Sequence, residues 1–82
     1  MSDIDKTAGE LFDAAFNGIA RDARSEEYKH GALIGIRAQL AGQAPRCPHP
    51  AGTVQADAWI AGHFEGRAIG RQYLRDQQPK VH

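Results

Sequence analysis

Residues 42–62 read Gly42-Gln-Ala-Pro-Arg-Cys-Pro-His-Pro-Ala-Gly-Thr-Val-Gln-Ala-Asp-Ala-Trp-Ile-Ala-Gly62. Three of the four prolines (Pro45, Pro48, Pro50), the only cysteine (Cys47) and the only tryptophan (Trp59) lie in this stretch. Proline has no amide to donate and clashes with the preceding helical turn, so no helix crosses 44–50. The flanking residues carry helical patterns. The stretch therefore reads as a stiff hinge between two helices, with Trp59 the largest apolar group available to close it.

Upstream of the hinge, Ser25 can cap a helix whose first turn holds Glu26 and Glu27, both favoured by the helix dipole. Tyr28, Ala32, Leu33, Ile36 and Leu40 form its apolar face. Gly31, Gly35, Ala38 and Gly42 stack along one side, with Gly42 placed to end the helix. Downstream, Thr53 or Asp57 caps a helix running to about Arg75. Ala58, Gly62, Gly66 and Gly70 repeat every four residues along it. Trp59, Ile60, His63, Phe64, Ile69, Tyr73 and Leu74 are expected around that seam. Glycine costs about 1 kcal/mol relative to alanine inside a helix. Repeated glycine makes sense where another backbone or a ligand comes close. Gly31–Gly35 and Gly62–Gly66 each follow an aromatic residue by three, Tyr28 and Trp59, which hints at a faint internal repeat.

Nearer the N-terminus, Thr7-Ala-Gly-Glu10 fits a capping box. Leu11, Phe12, Ala15, Phe16, Ile19, Ala20 and Ala23 fall on one helical face after it, which predicts an amphipathic helix over 8–24. The fold class is all-α. The organisation is an acidic helical segment 1–24, a helix-hinge-helix unit 25–76 and a polar tail 77–82. A chain of 82 residues with 41% hydrophobic content buries only a thin core. Small domains of this size commonly lean on oligomerisation or a partner. One cysteine excludes an internal disulfide and suits a reducing compartment. No apolar run approaches the ~20 residues needed to span a bilayer, and no basic-then-apolar leader opens the chain. A cytoplasmic protein with no membrane contact is expected.

The formal net charge is zero but unevenly spread. Residues 1–27 hold three bases against seven acids, and residues 28–82 hold seven bases against three acids. This −4/+4 division suggests a polyanion-binding half with an acidic appendage. Arg67, Arg71 and Arg75, four apart, form one stripe on the last helix. Arginine binds phosphate bidentately, so such a row can follow an RNA backbone. Lys29, Arg37 and Arg46 could extend the patch. The plain alternative is a solvated face with arginines paired to Glu65 or Asp76. Cys47, His49, His63 and His30 lack the paired spacing of a zinc site, so no metal or cofactor is expected. No phosphate loop and no serine–histidine–acid set is present, and no catalytic residue is assigned.

Tyr28-Lys-His-Gly31-Ala-Leu-Ile-Gly35-Ile, then Ala41-Gly42, Cys47-Pro48 and Trp59-Ile-Ala-Gly62-His-Phe-Glu-Gly66 together resemble the ribosome modulation factor family and its CrpP-like relatives. The resemblance covers about residues 28–75 and rests on Gly31, Gly35, Cys47, Pro48, Trp59, Gly62 and Gly66. Where the family carries aromatic residues after Cys-Pro and Trp-x-x-Gly, this chain has His49 and His63. The resemblance implies two linked helices that bind the ribosome at small-subunit rRNA and down-regulate translation in a hibernating state. Lys29, Arg37, Arg46, Arg67, Arg71 and Arg75 are then the RNA contacts. The alternatives are a small protein-binding regulator, such as a mobile-element inhibitor, and a CrpP-like drug-modifying protein. The apolar stripe of the N-terminal helix would serve to mask the basic half or to form a homodimer.

Overall fold

The computed structural model describes residues 3–16 and 25–77, and among these the secondary structure is all-helical, without a strand. The helices are α1 (Asp3–Phe16), α2 (Glu26–Ala41) and α3 (Val54–Gln77). The helix expected over 8–24 starts earlier, with Asp3 and Asp5 in its first turn. Thr7 and Glu10 therefore lie inside it. Interior amides already bond carbonyls four residues back, which leaves a capping box nothing to satisfy. Ile19, Ala20 and Ala23 lie outside the described residues, as does the tail from 78.

The other helix ends follow local chemistry. Ser25 is extended (φ −69°, ψ 163°), and its hydroxyl accepts the Tyr28 N–H at 3.2 Å. Gly42 closes α2 in the left-handed region (φ 69°), and the Gln43 N–H bonds the Ala38 carbonyl at 2.8 Å. A side chain there would be strained, so glycine suits the position. Thr53 opens α3: its hydroxyl accepts from the Ala56 N–H at 3.1 Å and donates to the Pro50 carbonyl at 2.7 Å.

The centre of the fold is the α2–α3 contact. A Cβ added to Gly31 would collide with the Trp59 carbonyl, and one added to Gly35 with that of His63. One added to Gly62 would meet the Tyr28 carbonyl, and one on Gly66 the Ala32 carbonyl. Residue numbers rise together on both sides, so α2 and α3 run parallel. A shift of 31 residues converts one side of the seam into the other: Gly31 becomes Gly62 and Gly35 becomes Gly66. The faint repeat is thus a pseudo-twofold pair of helices. Each glycine lets a backbone approach that Cβ would forbid, the steric logic of small-xxx-small pairs, and places Cα–H groups against carbonyl oxygens. Because the helices are parallel, residues 42–53 return the chain along α2 to the start of α3.

Ala32, Ile36, Ala38, Ala56 and Trp59 are buried along this pair. α1 lies antiparallel to α2 and contributes buried Ala8 and Phe16. Phe16 meets Tyr28 edge-on with centroids 6.3 Å apart, and Asp5 pairs with Arg37 at 2.9 Å. Helix α1 therefore rests on α2 through these apolar contacts and one ion pair.

Candidate nucleic-acid interface

With Gly62, Gly66 and Gly70 turned towards α2, the arginines of α3 take the flank and the outer face. Arg71 and Arg75 are exposed, and Arg67 is half-buried. Arg67 Nη1 reaches the Gln43 carbonyl at 3.5 Å, a long contact that ties the stripe to the connection after α2. Arg46, three residues further along that connection, is exposed. Arg75 Nη2 donates to Gln72 Oε1 at 2.9 Å, and Gln72 Nε2 donates to Asp76 Oδ1 at 2.9 Å. One carboxylate thus sits at the end of the stripe, linked through Gln72.

The two remaining bases lie elsewhere. Arg37 is held by Asp5 of α1. Lys29 lines a cleft with Phe12, Glu26, His30 and Leu33 on the α1 side of α2. The structure sets Arg67 against the connection that also bears Arg46, leaves Arg71 and Arg75 exposed further along α3, and sets Lys29 and Arg37 on the α1 side of α2. Cys47 is half-buried and Pro48 exposed in the connection. Among the described residues no three of His, Cys, Asp and Glu gather as a metal ion would require. No helix of the described residues is long and apolar enough to cross a membrane.

Trp59 sits between two imidazoles. Its Nε1–H donates to His30 Nδ1 at 2.9 Å. His63 stacks on the indole at 4.9 Å and 15°. Burial holds His63 below the ordinary imidazole pKa, and neighbouring Arg67 pushes the same way. The buried Nε2 of His63 has no hydrogen-bond partner, which agrees with a neutral ring. Across the seam, the Tyr28 hydroxyl donates to Glu65 Oε1.

Two apolar residues expected at the seam lie on the opposite face. Phe64 is 70% exposed and Ile60 43% exposed. Glycines at 62, 66 and 70 define the packed face, and a residue two after Gly62 points away from it. That signal was present in the spacing: Asp57, Ala61, Phe64, Ala68, Arg71 and Arg75 follow a three-four alternation on the outer side, and all are exposed. Compared with known protein families, curated proteins and solved structures, the chain matches none.

Proposed function

We propose that this chain binds RNA on a ribosomal surface and lowers translation, acting from the cytoplasm as a protein similar to ribosome modulation factor. The observation that carries the reading is the stripe of Arg67, Arg71 and Arg75 on α3, joined through Gln43 to the connection that holds Arg46. Guanidinium groups at one-turn spacing can bridge successive phosphates. The glycine seam supports this by making the pair stiff: backbones in direct contact leave little freedom for the helix that displays the arginines. The resemblance across residues 28–75 supplies the ribosomal target.

The test is cosedimentation with ribosomes, and binding to small-subunit rRNA fragments, across a salt series. Binding should weaken steeply with salt. Neutralising Arg71 and Arg75 together to glutamine should reduce the slope of log K against log salt by about 0.7–0.9 for each phosphate that is no longer neutralised. Salt-independent binding, or a slope unchanged in the double variant, would remove the RNA reading. A second reading, a protein-binding regulator, is favoured by the exposed apolar residues Val54, Ile60 and Phe64 on α3.

A further inference from the structure

We infer that the outer face of α3 is a self-complementary surface on which a second copy of this chain docks, antiparallel, about a twofold axis at Phe64. The inference goes beyond the RNA reading and does not rest on it. Phe64 lies near the middle of the 24-residue helix and is 70% exposed. An isolated exposed apolar residue needs no explanation, but this one is framed. Ala61 and Ala68 flank it with small exposed side chains, so a facing helix can come close enough to cover the ring. Asp57 stands two turns before it, and Arg71 and Arg75 two and three turns after it. All are exposed and share the face.

This order decides both the occupant and its direction. In an antiparallel pair centred on Phe64, residues on the same side of the face whose distances from 64 agree to within one residue meet. Phe64 then packs on the second copy's Phe64, an aromatic pair that buries both rings. Ala61 faces the second copy's Ala68, and Ile60 lies along the stem of the second copy's Arg67. Asp57 falls between the second copy's Arg71 and Arg75, and twofold symmetry repeats that carboxylate–guanidinium cluster at the other end. A parallel pair would instead set Asp57 on Asp57 and Arg71 on Arg71, which repel. The charge pattern thus selects one of the two ways to pair the helix. Placing the axis near mid-helix lets most of its length overlap.

The full chain is measured by light scattering and sedimentation equilibrium over a concentration series, without RNA. The expected result is reversible association to twice the chain mass. Phe64→Asp, at an exposed position that leaves helicity unchanged by circular dichroism, should raise the dissociation constant roughly tenfold or more. Asp57→Arg should act in the same direction, and the swap Asp57→Arg/Arg71→Asp within one chain should restore association. In a Cys47→Ser background, Ala61→Cys mixed with Ala68→Cys should form the mixed disulfide in preference to either self-linked species. A wild-type chain that stays monomeric at the highest concentration overturns the proposal. So does a dimer indifferent to Phe64→Asp, which would place the interface on another face, and so does preferential self-linking of Ala61→Cys, which would make the pair parallel.

Discussion

Trp59 is the residue through which most of the polar and apolar packing near the start of α3 runs. It is 3% exposed, donates to His30 and carries His63 on its face. Trp59→Ala should cost about 3–5 kcal/mol, since removing a buried aromatic leaves a cavity that closes only in part. Trp59→Phe keeps most of the ring and loses the hydrogen bond, so its cost should be near 1 kcal/mol. Equal losses in chemical denaturation would mean that the hydrogen bond, and not the buried volume, dominates. His63 adds a pH dependence whose sign follows from its depressed pKa. The folded chain takes up this proton less readily than the unfolded one. Its contribution is complete above the ordinary value of 6.5, declines as pH falls below that, and levels off under the folded pKa. His63→Phe keeps a stacked ring without a titrating group. The difference in stability between about pH 7.5 and about pH 5.5 should therefore shrink in this variant. An unchanged difference would assign the acid sensitivity to other groups. Burial of Trp59 was legible from its place beside the prolines. Its imidazole partners were not, because His30 lies 29 residues upstream and only the parallel seam brings it alongside.

At the scale of the element, glycines in this chain have opposite meanings that only packing distinguishes. Gly66 faces the oxygen and carbon atoms of Ala32's backbone, which cannot move aside cheaply. Gly66→Leu should destabilise by about 1–3 kcal/mol or more, although leucine is much the better helix former. Gly9 also lies inside a helix, yet nothing approaches within 4 Å of an added Cβ. Gly9→Ala should stabilise by about 0.5–1 kcal/mol. Thermal melts of the two variants in opposite directions would check the seam; a Gly66→Leu chain that melts higher than wild type would mean the helices separate there at little cost. The four-residue spacing made the seams readable and the Ser25 and Thr53 caps equally so, because each rests on a local rule. Helix direction was not readable, since a row of small residues looks the same to a parallel or an antiparallel neighbour. The clue was the length of the connection: twelve residues, 42–53, are more than a tight helical hairpin needs and enough to return along α2. Ile60 and Phe64 were misplaced for a related reason. Apolar character alone assigned them to the seam, whereas the glycines had already taken that face.

For the whole molecule, the decisive feature is how the uneven charge is consumed. Asp5 and Arg37 are 39% and 47% exposed in their side chains, so their pair contributes at most about 1 kcal/mol; Ala8 and Phe16 hold α1 in place. Arg37 is nonetheless engaged, and Arg37→Gln should weaken RNA binding less than Arg71→Gln does. Arg71 and Arg75 face a different competition. The self-pairing surface draws them to Asp57 of a second copy, and the RNA reading draws them to phosphate. One guanidinium cannot satisfy both fully, so the two ligands should oppose each other, and by linkage the opposition is reciprocal. A short small-subunit rRNA fragment added to the dimer should then yield complexes with one chain per RNA site. Raising protein concentration without changing RNA should lower the apparent affinity. Phe64→Gln, which removes the aromatic contact and leaves all three arginines without adding charge beside them, should bind RNA as tightly as wild type at low protein concentration and more tightly at high concentration. Sedimentation velocity with labelled RNA reads all three at once. Two chains bound as an intact pair on one RNA, with affinity independent of protein concentration, would show that the arginines serve RNA while the helices remain paired, and the competition would be excluded.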